Sequence, residues 1–170
     1  MRDDRRFIEW FGGLALSVWV GGHATIMLVA FTIFGELATS RGLAGSLVSA
    51  ILANFRRMEL VCAAAVFFGA VFLLSRPATR RDVARLVLAA LMAGIMASYA
   101  VWVGPKLLEL RTQITSFDLP AERDLSSARR AFQSLHQLYS GLSMANLVIG
   151  VVLLSIWRRT EPATEPPKIP

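Results

Sequence analysis

One stretch near the end of the chain, from Ala121 to Trp157, carries a single apolar stripe along its whole length. Its apolar and small residues recur at alternating steps of four and three, which is the spacing of one face of an α-helix. Charged residues crowd the first half of the stretch, whereas the second half has almost none before Arg158. The pattern therefore predicts one helix that stands in water at one end and in lipid at the other.

The composition agrees with a membrane protein. Apolar residues make up 55% of the 170 residues, and the mean hydropathy is +0.53. The net charge of +6 does not indicate a nucleic-acid partner, because the arginines cluster between apolar runs, where charge sets topology. The single cysteine, Cys62, excludes an internal disulfide and any CxxC site.

Four apolar runs approach or exceed the roughly 20 residues that cross a bilayer. The predicted spans cover about 10–34, 58–75, 86–104 and 138–157. The first run is much longer than the roughly 7–15 apolar residues of a signal peptide, and no A-x-A site closes it, so we expect it to be retained. Residues 1–9 form a charged head, and residues 158–170, rich in proline and glutamate, are expected to be disordered.

The segments between the spans carry their own patterns. Gly35–Arg57 mixes apolar and polar residues, which predicts a short helix lying in the interface or packed against the bundle. Pro105 should kink or interrupt the third span. The apolar pattern continues beyond it, and Asp118 is the expected N-cap of the returning helix. The predicted fold is therefore an all-α, integral membrane four-helix bundle, with spans three and four extended beyond the bilayer as a helical hairpin at about 105–137.

Lysine and arginine in the short flanks predict the orientation. They are densest in the head, in the turn Arg76–Arg85 and at Arg158 and Arg159. Because such residues favour the cytoplasmic side, both termini are predicted to be cytoplasmic, in the inner (plasma) membrane.

Small residues at four-residue spacing predict where the spans meet, because helices in lipid gain from close backbone approach. These residues are Gly13, Ser17 and Gly21 in the first span, Ala90, Gly94 and Ser98 in the third, and Gly141 and Ala145 in the fourth. They fit packing within one bundle, and they would equally fit dimerisation with a second copy.

Two histidines are candidates for chemistry. His23 lies near the middle of the first span, where a polar side chain is costly and merits a functional hypothesis. The alternative is a neutral imidazole hydrogen-bonded to Ser98, Tyr99 or Asn146.

In the fourth span a polar stripe shares one helical face; it consists of His136, Tyr139, Ser143 and Asn146. These residues could line a small polar cavity or coordinate a metal or haem, whereas the structural alternative is hydrogen bonding between helices.

A site shared by both histidines is not expected, since His23 lies about 16 Å below the outer end of its span. A single histidine completed by a methionine is the remaining metal hypothesis, with Met27, Met92, Met96 and Met144 as candidates.

Glu59 follows Arg56 and Arg57 and is interpreted as part of an ion pair at the interface. No HExxH, GxSxG or P-loop motif is present, so no enzymatic activity and no cofactor are expected.

Several motifs in order resemble the DUF4149 or transmembrane protein 205-like family. They are Val18-Trp19-Val20 with Phe31-x-x-Phe34, Gly104-Pro105-Lys106-Leu107-Leu108-Glu109-Leu110-Arg111, and Phe132-x-x-Leu135-His136 with Ser143 and Asn146. The resemblance implies a four-span bundle without an established reaction, and a loose connection with transport or trafficking. The sequence departs from the family pattern at Ser143, where an asparagine is expected seven residues after the histidine.

The sequence thus predicts an uncharacterised multi-pass membrane protein that is not an enzyme and has a structural, interaction or small-solute role. Its expected partners are the lipid bilayer and either a second copy or another membrane protein, with no nucleic acid. The alternative is a haem- or copper-binding membrane protein, similar to copper-resistance proteins, that uses His136 or His23.

Overall fold

The computed structural model describes residues 2–75, 78–114, 117–118 and 127–157. The helices are α1 (Arg2–Glu36), α2 (Arg41–Leu74), α3 (Arg80–Ser98), α4 (Gly104–Thr112) and α5 (Ser127–Trp157). A π-helical turn, Tyr99–Val103, joins α3 to α4, so these three elements form one rod. The predicted all-α architecture, with four helices long and apolar enough to cross a membrane, is confirmed.

The four rods pack as a closed ring in the order α1, α2, α3, α5, and α5 returns to α1. Short connections after α1 and α2 make successive rods antiparallel, as in other up-and-down bundles. The beginning of α1 and the end of α5 therefore meet, and the Trp157 indole N–H donates to the Glu9 carbonyl oxygen at 2.7 Å. We name this the terminal end and the opposite one, where α4 packs on α5, the hairpin end.

The predicted separate short helix at Gly35–Arg57, lying in the interface or packed against the bundle, is wrong, because most of that segment is the first half of α2. No proline separates it from the second half, and its apolar spacing continues without interruption. Its polar side chains are satisfied by the helix itself: Ser49 Oγ donates to the Gly45 carbonyl oxygen at 2.6 Å, and the Asn54 amide to that of Ala50 at 3.1 Å. A helix can therefore carry these residues without leaving the bundle.

Other boundaries also differ from the expectation. Most of the charged head is helical, since α1 already begins at Arg2. The Asp118 carboxylate accepts from the Gly42 backbone N–H at 3.0 Å, in the first turn of α2, while the helix start that Asp118 was predicted to cap lies outside the described residues. The predicted helix start at Ala121 and the predicted disordered tail at 158–170 lie outside the described residues.

Pro105 acts on the third rod one turn before its own position. A proline ring has no N–H and clashes with the carbonyl four residues back, so the preceding turn must widen. The Gly104 N–H correspondingly bonds to the Tyr99 carbonyl oxygen, five residues back. The predicted interruption is thus a π-helical turn within a continuous rod.

Candidate functional site

A buried carboxylate, that of Glu59, lies near the middle of α2 with 2% of the residue exposed. The Trp19 indole N–H donates to its Oε1 at 3.0 Å, and the Tyr99 hydroxyl donates to the same atom. His23 Nε2 lies 3.5 Å from this oxygen. One carboxylate oxygen therefore connects three rods, and we name Trp19, His23, Glu59, Tyr99 and Asn146 the Glu59 cluster.

Local structure explains how these side chains meet. Trp19 and His23 are four residues apart on α1 and so project from the same face. Phe55, one turn before Glu59 on α2, packs edge-on against the His23 ring at 5.1 Å. Tyr99 is the first residue of the π-helical turn, and such turns occur frequently at functional sites.

Asn146 brings α5 to the cluster. It is 1% exposed and lies beside the Tyr99 hydroxyl. Neither its amide nitrogen nor its amide oxygen has a hydrogen-bond partner among the residues that the structure describes. A buried amide without partners costs about 1–3 kcal/mol, so either a closer contact with the adjacent Tyr99 hydroxyl or a small polar species would stabilise this position.

Arg56 and Tyr139 cover the cluster on its hairpin side. The Tyr139 ring packs edge-on against the Tyr99 ring at 5.4 Å. Arg56 and Ser143 both lie within hydrogen-bonding reach of the Tyr139 hydroxyl. The Arg56 guanidinium also lies against Gly104, where a Cβ would be 3.1 Å from its two terminal nitrogens. The absent side chain of Gly104 thus leaves room for a cation above the cluster.

An apolar layer closes the cluster on its terminal side. Leu16, Val66, Met92 and Leu153 are at most 1% exposed. Each lies seven residues, or about 10 Å along its helix, from His23, Glu59, Tyr99 and Asn146 respectively. The cluster is therefore a polar layer with a closed apolar layer toward the chain termini.

A second buried polar network, which we name the Arg85 clamp, joins the rods at the terminal end. Arg85 is fully buried, and its guanidinium donates to Asp82 at 3.0 Å, to Glu9 at 3.3 Å and to the Trp157 carbonyl oxygen. Arg5 binds Asp82 from α1 at 3.1 Å. These arginines neutralise the buried carboxylate of Asp82 and the partly buried carboxylate of Glu9, and Arg85 satisfies a carbonyl at the end of α5. The network therefore has a structural role.

The structure separates the predicted polar stripe of α5. Tyr139 and Asn146 face the Glu59 cluster, and Ser143 lies beside Tyr139. His136 is exposed and stacks on Phe132 at 6.0 Å. The sequence suggested Ser98, Tyr99 or Asn146 as the hydrogen-bond partner of His23. In the structure the His23 imidazole approaches Glu59, and Ser98 Oγ bonds to the Ile95 carbonyl oxygen.

Glu59 is the residue that sequence reasoning missed. The expected ion pair with Arg56 and Arg57 is not what the structure shows, since the carboxylate points to Trp19 and Tyr99. The available signal was its spacing from Phe55, Cys62 and Val66, at −4, +3 and +7, which places Glu59 on the apolar face of its helix.

The predicted packing residues mostly face outward. Gly13 lies against Trp157 and Ser98 is partly buried, but the other predicted positions are exposed: Ser17, Gly21, Ala90, Gly94, Gly141 and Ala145. A Cβ at Gly21, Gly94 or Gly141 would meet nothing within 4 Å. Packing within the bundle instead uses Gly150, where a Cβ would lie 2.7 Å from Val20. For the exposed positions, dimerisation stays a prediction.

Of the two histidines considered as metal ligands, His23 faces inward and His136 is exposed. Among the residues that the structure describes, no group of three histidine, cysteine, aspartate or glutamate side chains could hold a metal ion. Met92 and Met96 are buried in the core, whereas Met144 is exposed and Met27 half-buried. The chemistry that this arrangement supports is exchange of a proton or binding of a small polar species at Glu59 and His23.

Comparison with known proteins gives a match to a protein family. Residues 14–116 match the model of the Domain of unknown function (DUF4149) family. No curated protein and no solved structure matches the chain. The matched range includes all the members of the Glu59 cluster that lie on the first three rods, namely Trp19, His23, Glu59 and Tyr99. Because the match covers more than half of its length, this chain belongs to the DUF4149 family.

Proposed function

We propose that this protein is a transmembrane protein 205-like member of its family that handles a small solute or ion within the membrane and is not an enzyme. The observation that carries the proposal is the Glu59 carboxylate, buried at 2% exposure among apolar helices. Ionisable residues inside membrane helices are costly, face the bundle interior and mark ion or substrate pathways. The Arg85 clamp accounts structurally for Arg85 and Asp82, and the buried Arg129 guanidinium lies over the Phe117 ring. Among the residues that the structure describes, Glu59 is therefore the buried carboxylate that lies outside the clamp.

The proposed setting is the inner (plasma) membrane, with the terminal end in the cytoplasm. The arginines of the head and of the turn before α3 support this orientation. The exposed small residues of α1, α3 and α5 support a second copy of the chain as partner, because helices in lipid associate through such faces.

Reconstitution into liposomes tests the proposed function. Vesicles carrying the native protein would be loaded in turn with indicators for protons, sodium, potassium and chloride. We expect protein-dependent flux of at least one of these ions, lost in Glu59→Ala and retained in Glu109→Ala, whose exposed carboxylate pairs with Lys106. Absence of flux for all four ions would overturn the proposed handling of an ion.

The haem or copper alternative is favoured by one observation, the inward-facing imidazole of His23 beside a carboxylate. An optical spectrum and metal analysis of protein purified in mild detergent would test it. A haem absorption band or stoichiometric copper that disappears in His23→Ala and persists in His136→Ala would support the alternative. Neither signal in the native protein would reject it.

A further inference from the structure

We propose that Glu59 and His23 form a proton-binding site inside the membrane, which exchanges one proton with water at the hairpin end by way of Asn146, Tyr99 and Tyr139. The inference deepens the proposed function, because it names the proton as the ion that is handled.

The first step of the reasoning concerns what Glu59 can bind. Two donors, the Trp19 N–H and the Tyr99 hydroxyl, already occupy Oε1, and these contacts suit an ionised carboxylate. His23 Nε2 lies 3.5 Å away and is the nearest group that can carry a second proton. A proton that enters forms an N–H bond on the imidazole or an O–H bond on the carboxylate, and no other bond changes.

Every rod contributes to the surroundings of this pair. The titratable or charged groups that face Glu59 are His23 from α1, Arg56 and Cys62 from α2, Tyr99 from the π-helical turn and Tyr139 from α5. Arg56 is the arginine among these groups, and it lies within hydrogen-bonding reach of the Tyr139 hydroxyl on the hairpin side of the pair.

The route to water is the second step. Tyr99 and Tyr139 are in ring contact, and Tyr139 lies one turn from the exposed surface at the hairpin end of α5. Asn146 beside Tyr99 presents an amide donor and an amide acceptor without partners among the described residues. Such a pair of groups suits one bound water molecule, because a buried water takes two to four hydrogen bonds.

The third step is the direction of access. The layer of Leu16, Val66, Met92 and Leu153 offers no hydroxyl, amide or titratable group for a proton to use. The Arg85 clamp below it holds two carboxylates in ion pairs and closes the terminal end. Proton exchange is therefore confined to the hairpin end in this conformation.

Infrared difference spectroscopy between about pH 5 and pH 8 tests the site directly, since unperturbed histidine changes charge in this range. Labelling the native protein with ¹³C-glutamate, in detergent, separates the carboxyl bands of glutamate from those of the buried Asp82. We expect a pH-dependent signal from a glutamate in an apolar environment, absent in Glu59→Gln and unchanged in Glu109→Gln. Glu59 is the buried glutamate among those that the structure describes, so the native spectrum alone remains decisive if Glu59→Gln does not fold.

Two further variants separate the site from a structural role. His23→Gln should shift the midpoint of the glutamate signal by at least one pH unit, while His136→Gln should leave it in place. Asn146→Leu should slow proton exchange at least several-fold without removing the signal. Glutamate and histidine signals that both stay constant between about pH 5 and pH 8 would overturn the inference.

The outcomes also separate this inference from the proposed function. Flux of another ion that depends on Glu59, without a change in its protonation, would overturn the proton assignment and keep the function. A titrating Glu59 without any ion flux would keep the proton site and overturn transport.

Discussion

Tyr99 in the π-helical turn donates a hydrogen bond to the carboxylate of Glu59 in the middle of α2. Tyr99 is the first residue of the π-helical turn, which ends just before Gly104 and Pro105. A backbone irregularity in the third rod and a buried acid on another helix thus meet at Tyr99.

Tyr99→Phe should lower the free energy of unfolding by about 1–3 kcal/mol, since a hydrogen bond to a charged group is lost while the ring packing against Tyr139 is kept. Thermal unfolding in mild detergent would measure this change. Trp102→Phe is the control, because Trp102 is 64% exposed. Equal stability of the two variants would contradict the assigned contact.

Gly104→Ala should destabilise the protein by about 1–3 kcal/mol, because the new Cβ would lie 2.9 Å from the Tyr99 carbonyl oxygen and 3.1 Å from the Arg56 guanidinium. The nearest of these atoms is backbone, which cannot move aside cheaply. Gly94→Ala, where a Cβ meets nothing within 4 Å, should keep or raise stability. Unfolding midpoints of both variants measured side by side would check the pair.

Gly150→Ala should loosen the contact of α5 with α1 and α3, since its Cβ would lie 2.7 Å from Val20 Cγ2 and 3.1 Å from the Met92 thioether methyl. We expect a loss of about 1–3 kcal/mol, the usual cost of overpacking a core. Gly141→Ala on the same helix meets nothing within 4 Å and should be neutral for the monomer. If Gly141→Ala instead dissociated a dimer in detergent, its exposed face would be the interface between two copies.

Arg85→Ala should cost about 3–5 kcal/mol, because it removes the buried cation that joins Asp82, Glu9 and the Trp157 carbonyl oxygen and leaves Arg5 alone to pair with both carboxylates. Arg80→Ala, at the exposed start of α3, should change stability by less than about 0.5 kcal/mol. Chemical unfolding of both variants in detergent would compare them. A similar small effect for both would mean that Arg85 is not the centre of the terminal network.

Labelling of intact cells would test the orientation. In a Cys62→Ala background, the variant Gln113→Cys should react with a membrane-impermeant maleimide, because it lies at the hairpin end. Arg80→Cys should react only after the cells are permeabilised. The reverse pattern would place the termini outside and would also reverse the side from which protons reach Glu59.

Local patterns were enough to predict the architecture. Four apolar runs of sufficient length specify four membrane helices, and Pro105 specifies an interruption in the third, because both effects act within one segment of chain. The inward position of Asn146 followed from its spacing as well. The separate short helix at Gly35–Arg57 was wrong because its polar side chains were taken to end the membrane helix, whereas the exposed Ser49 and Asn54 bond to carbonyl oxygens of their own helix.

The meeting of residues from different helices was decided by the tertiary structure. Helical spacing shows that Glu59 shares a face with Val66, but it does not show that Trp19 and Tyr99 reach that face. His136 turned outward and the glycines at 21, 94 and 141 lie open, because the rotation of each rod depends on all its neighbours. The sequence by itself determined four helices and their order; the packing of those helices decided that a carboxylate, an imidazole and a phenol form one buried site.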